Sequence, residues 1–111
     1  MAVRTFPVTV GVTPVLALMG NAARVGWRIT FPATGIIAGN TGRVHVGRGF
    51  PPSTDLTTPT IGDPLQNGGE LTEARQFKEE RIWQGEVWLN ATVAAQVVIV
   101  EEELDVPGAY G

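Results

Sequence analysis

Ala22–Phe31, "AARVGWRITF", is the stretch that decides the fold. Val25, Trp27, Ile29 and Phe31 alternate with Arg24, Gly26, Arg28 and Thr30. A helix needs apolar residues three and four apart. Strict alternation instead gives a strand one buried face and one wet face. Valine, isoleucine, tryptophan and phenylalanine suit a pleated, half-buried surface. On this reading Arg24 and Arg28 point to water.

Further strands follow on either side. "RVHVG" (43–47) sets Val44 and Val46 against Arg43, His45 and Gly47, which places His45 on a wet face. "EVWLNATV" (86–93) and "QVVIVEEEL" (96–104) read as two strands joined at Ala94-Ala95. The unbroken run Val97, Val98, Ile99 and Val100 predicts burial on both faces. Glu101, Glu102 and Glu103 then read as a solvated terminus that guards against edge pairing. Residues 1–20 are expected to form an extended arm or edge strand, because Pro7, Gly11 and Pro14 interrupt "FPVTVGVTPVLALMG". From Gly49 to Gly69 the composition turns to Pro, Thr, Asp and Gly, which predicts a long connection. Residues 70–81 stay open between two forms. Leu71, Ala74, Phe77 and Lys78 have helical spacing, whereas the neighbouring turns and strands favour a strand. The tail "DVPGAYG" (105–111) has no pattern and is expected to be loose or bound to a partner.

The fold class that follows is all-β, with about six to eight short strands in a two-sheet β-sandwich of jelly-roll type. The 111 residues make one domain, and 43% apolar residues can fill one core. There is no cysteine, so neither disulfides nor thiolate metal sites are possible.

Charge is unevenly spread. Residues 1–54 carry Arg4, Arg24, Arg28, Arg43 and Arg48 and no acid, whereas residues 55–111 carry all 11 acids against Arg75, Lys78 and Arg81. In one β domain such segregation predicts pairing of opposite charges within the fold or between subunits. A net charge of −3 with a single lysine argues against nucleic-acid binding. The interrupted apolar segments fall short of the roughly 20 residues a membrane span needs. A secretion signal is not expected either, since Arg4 alone supplies positive charge at the N-terminus.

Catalytic readings fail on residue supply. The one histidine, His45, and the one serine, Ser53, flank a glycine-containing loop start, but a strand histidine beside Arg43 and Gly47 reads as a bystander. One histidine cannot furnish a cupin-type metal shell. Asp55 and Asp63 lack the spacing of a calcium loop. Glu79, Glu80, Glu86 and the Glu101–Glu103 run read as solvated charge and not as paired catalytic carboxylates. "GNTGRVHVG" (39–47) lacks the Gly-Lys-Ser/Thr ending of a phosphate loop and enters a strand. The match of Asn90–Thr92 to a glycosylation acceptor lies within a strand and reads as chance. No enzyme, cofactor or metal is expected.

Binding surface is what remains. Trp83 and Trp88 flank "QGE" and suit a hairpin, either filling the core or offering a platform. Phe50, Pro51 and Pro52 form a stiff apolar start to the long loop, which either packs on its own domain or docks on another protein.

The order of these elements carries a resemblance. An alternating strand, "NTGRVHVG", a Pro/Thr loop, "GDPLQNGGEL", "IWQGEVWLNA" and a terminal "VVIVEEE" resemble the small all-β decoration (cement or staple) proteins of epsilon15-like short-tailed phages. It covers about residues 20–104, is best defined at the turns Gly62–Leu65 and Gly69–Leu71, and leaves out the N-terminal segment. The resemblance implies a structural virion protein on the outer capsid surface. Such a protein binds the major capsid protein, clamps neighbouring subunits, and is itself a dimer or trimer at local symmetry axes. It carries over no functional residue. Candidate shell or subunit contacts are Arg4, Phe6, Arg43, Arg48, Phe50, Pro51, Pro52, Trp83 and Trp88. Alternative readings are a head–tail or tail component, or a carbohydrate-binding sandwich using Trp83 and Trp88.

Overall fold

Eight strands follow one another along the chain in a computed structural model that describes residues 2–75 and 81–105. They are β1 (Ala2–Val10), β2 (Val15–Leu18), β3 (Arg24–Thr30), β4 (Val44–Arg48), β5 (Asp63–Leu65), β6 (Glu70–Ala74), β7 (Val87–Ala91) and β8 (Gln96–Leu104). One sheet has the order β1-β8-β3-β6 and the other β2-β7-β4-β5. All neighbouring strands are antiparallel. Every connection except β4–β5 carries the chain from one sheet to the other. The described residues hold no helix, and the two sheets pack as a β-sandwich.

The alternation in β3 has the effect expected of it over most of its length. Ile29 lies beside Val100 of β8 and Leu71 of β6, and Val100 lies beside Phe6 of β1. In the second sheet Val46 pairs with Leu89, and Leu89 with Val15. These rows face each other as the core, where Ile29, Phe31, Val44, Val46, Val87, Leu89, Val98 and Val100 are fully buried. Each side chain of that size contributes about 1.5–3 kcal/mol by leaving water. In β8 the outward members of the apolar run, Val97 and Ile99, are half-buried, so burial is one-sided where both faces were expected to be covered.

Residues 2–10 form an edge strand that pairs with β8 from Ala2↔Leu104 to Val10↔Gln96. Pro7 fits there because an edge strand has a free side on which no N–H is needed. Within the segment left open, Glu70–Ala74 is strand, while 76–80 lie outside the described residues, as does the tail 106–111. Trp83 and Trp88 do not flank a hairpin, because β7 pairs with β2 and β4 and its approach comes from the other sheet.

Strand direction gives the sandwich two ends. Residues 11–14, 31–43, 66–69 and 92–95 gather at the upper end. Ala2, Leu104, residues 19–23, 49–62 and 81–86 gather at the lower end.

Candidate functional site

The lower end is closed by charge. β3 carries one extra residue against β8 between Arg24 and Gly26, and this bulge breaks the alternation at its start. Arg24 therefore turns inward and is fully buried, which corrects its expected place in water. Its Nε donates to Glu102 at 2.8 Å, one terminal nitrogen donates to the Gly85 carbonyl at 2.8 Å, and the other donates to the Met19 carbonyl at 2.5 Å. Glu102 is itself buried, whereas the sequence placed it in a solvated run. It lies opposite both Arg4 and Trp27 and thus shares the core-facing row. Its second oxygen accepts from Arg4, whose side chain is 56% exposed and whose guanidinium also lies over the Phe6 ring. Arg24 thereby ties two loops of the lower end to the first sheet.

A second network stitches the edge where β5 and β6 pass between sheets. Arg48 donates to Glu73 of β6 at 2.6 Å and also bonds Asp63 of β5, and its guanidinium stacks 5.3 Å from the centre of the Trp27 ring. Burial works against the Arg48 charge, but hydrogen bonds and attraction from Glu73 and Asp63 outweigh it and raise its pKa above the ordinary value. The other Glu73 oxygen accepts the Trp83 backbone N–H. On the outer face of the first sheet, a hydrogen bond from Arg28 to Glu101 and the attraction between them likewise raise the arginine's pKa. Arg4, Arg24, Arg28 and Arg48 come from residues 1–54, and their partners Glu101, Glu102, Asp63 and Glu73 from 55–111. Opposite charges thus meet inside one chain.

His45, expected on a wet face, is fully buried instead. The long loop folds back over the outer face of the second sheet and covers it. The loop's Ile61 carbonyl lies 2.7 Å from Nδ1, while Arg43 donates to Nε2 at 2.7 Å. This pattern assigns the tautomer with its proton on Nδ1. Asn90, opposite His45, donates to the Pro52 carbonyl at 3.0 Å, so the apparent glycosylation acceptor is a buried loop anchor. Gly47 lets the loop approach, since a Cβ there would lie 2.1 Å from the Phe50 carbonyl oxygen. Farther out, Asp55 accepts from the Thr57 backbone and side chain, which lowers its pKa.

Two buried amides fix the upper end. Gln96 accepts from the Thr41 and Gly42 N–H groups and donates to the Gly39 and Ala94 carbonyls. Asn40 donates to the Pro32 and Val97 carbonyls and accepts the Val97 N–H. Asn67 and Thr34 both donate to the Asn40 carbonyl. The stretch "GNTG" is thus a turn held at both ends by side-chain amides.

The residues proposed as contacts are dispersed. Arg4 and Pro51 are exposed, Pro52 is buried, and Phe6, Arg43, Arg48, Phe50, Trp83 and Trp88 are half-buried. Phe50–Pro52 lie on their own second sheet. The Trp83 ring packs against Gly49, Gly85 and the core, and its N–H donates to the Glu86 carbonyl. Trp88 lies beside Gly47 on the loop-covered sheet, so the two rings have different surroundings. Asp55 and Asp63 serve a turn and an arginine respectively and form no common site. Sequence reasoning missed Arg24, Glu102, Glu73, Asn40 and Gln96; only the charge segregation pointed toward the first three.

No protein-family model matches the chain, and no curated protein or solved structure matches it.

Proposed function

We propose that the chain is a structural virion protein, not an enzyme, which binds the outside of a major capsid protein shell and clamps neighbouring subunits. The observation carrying this reading is where the reactive side chains are spent. Both nitrogens of His45, the buried Arg24–Glu102 pair, and Glu73 with Arg48 all hold loops to strands. Such a body is built for rigidity, and a clamp under load needs rigidity more than chemistry. Eight antiparallel strands that pass repeatedly between two sheets support the jelly-roll reading, an architecture used in viral capsid domains. The resemblance to phage decoration proteins points the same way. Many copies on one shell let modest contacts add up across seams, and binding only the closed shell stabilises it by mass action.

The test uses shells assembled without this protein from the major capsid protein of the same gene cluster. Purified protein should co-sediment with them and raise their disruption temperature. Absence of binding across a range of salt concentrations would refute the reading. Copy number per shell and analytical ultracentrifugation then test a dimer or trimer at local axes.

A further inference from the structure

The upper end of the sandwich differs from the rest of the molecule. The loops 11–14, 32–42, 66–69 and 92–95 contain no Asp, Glu, Lys, Arg or His; at their foot Arg43 is half-buried and turned toward His45 and the Thr54 carbonyl, and Glu70 stands at the rim where β6 begins. Three large apolar side chains stand exposed on separate loops there: Val12 at 63%, Ile36 at 78% and Val93 at 43%. Scattered exposed apolar residues are ordinary. The lower end exposes Val3, Met19 and Leu56 as well, but there Arg4, Asp55, Arg81 and Glu86 stand exposed among them, whereas the upper loops offer their apolar tips without charge.

The glycines supply an independent observation. Beyond their chain neighbours, Gly11, Gly35 and Gly39 have no atom within 4 Å of where a Cβ would stand, and none has a positive φ. Neither internal packing nor backbone conformation calls for glycine at these positions. All three lie at the upper end, and two adjoin the exposed Val12 and Ile36. A bare backbone is what close approach from outside requires. The loops are also fixed in advance, by Gln96 and Asn40 and by the bond from the Ala91 N–H to the Gly11 carbonyl. Little conformational entropy remains to be lost on contact.

We propose that this end, with its uncharged loops, is a preformed docking surface, and that its occupant is an uncharged, apolar patch on the capsid shell. This rests on the decoration reading and names which end meets the shell. Charge selects the occupant. Nucleic acid, an anionic lipid surface or a charged protein patch would lose water from its charges here without meeting a counter-charge. A second copy is the one uncharged rival, and the ultracentrifugation below separates it from the shell.

The experiment compares wild type with Val12→Glu, Ile36→Glu and Gly35→Leu at the upper end, and with Pro51→Glu at the lower end, on shells lacking the protein. All four positions are exposed, so thermal midpoints should stay near that of wild type. Upper-end variants should bind at least about tenfold more weakly, the scale of one desolvated apolar side chain. Pro51→Glu should bind like wild type, and wild-type binding should survive added salt. If wild type binds and the upper-end variants bind equally well, the proposal fails while the decoration reading stands. Steep loss of binding with salt overturns it in the same way. If wild type does not bind the shells, both readings fall. Should ultracentrifugation find a dimer that Ile36→Glu dissolves, the occupant is a second copy and the proposal is overturned.

Discussion

Replacing Arg24 by methionine probes the strongest polar element of the fold. The substitution keeps most of the buried stem and removes the guanidinium. Glu102 then retains only Arg4, whose largely exposed side chain gives a pairing worth at most about 1 kcal/mol. The Met19 and Gly85 carbonyls lose their donor as well. Removing one member of a buried pair costs about 3–5 kcal/mol, because the other charge stays out of water. Glu102→Leu should cost a similar amount for the mirror-image reason. Replacing both together strands no charge, so the double variant should be well short of the sum and close to one single variant or better. With a urea dependence of about 2 kcal/mol per molar, each single change lowers the unfolding midpoint by about 2 M. Urea titrations followed by circular dichroism on all three variants give the cycle directly. Arg4→Ala, as a control, should move the midpoint little. The reasoning is refuted if Arg24→Met stays within about 1 kcal/mol of wild type, or if the two single effects simply add.

Three further outcomes follow from other parts of the molecule. Gly47→Ala forces a Cβ against the Phe50 carbonyl at 2.1 Å, so the loop must shift; limited proteolysis should cut within residues 49–62 faster than in wild type. Gln96→Ala strands the Thr41 and Gly42 N–H groups and should destabilise by about 1–3 kcal/mol, with hydrogen exchange accelerated first at residues 39–42. Asp55 has its folded pKa lowered by Thr57, so its contribution is present above the unfolded value of about 3.9 and is lost as pH falls through the folded value. An NMR titration should place its midpoint below that of the same residue in Thr57→Ala, where only the backbone bond remains.

Much of the fold was legible because one-sided burial writes a period of two into a strand. Val44 and Val46, and the inward residues of β3 and β8 from Trp27 and Val98 onward, obey that rule. It fails at Arg24, where one inserted residue reverses which side faces in. It fails at His45 for another reason. Alternation tells the two faces of a strand apart but not whether a distant loop will cover the outer one. Charge segregation announced that arginines and acids would meet, while the choice of Glu102 for Arg24 depends on the pairing of β3 with β8, which lie far apart in sequence. Asn40 and Gln96 read as ordinary turn and strand-start residues, because a buried amide leaves no periodic trace.

That β1 pairs along its length with β8 has a consequence in time. Ala2–Val10 can find its partner only after residues 96–104 have been synthesised. Until then Arg4, Arg24 and Arg28 also wait for the carboxylates of Glu101 and Glu102. Such long-range closure makes folding slow and leaves an unpaired edge available to neighbouring chains meanwhile. A truncation that stops before Gln96 should therefore yield an open chain prone to aggregate, not a smaller version of the sandwich.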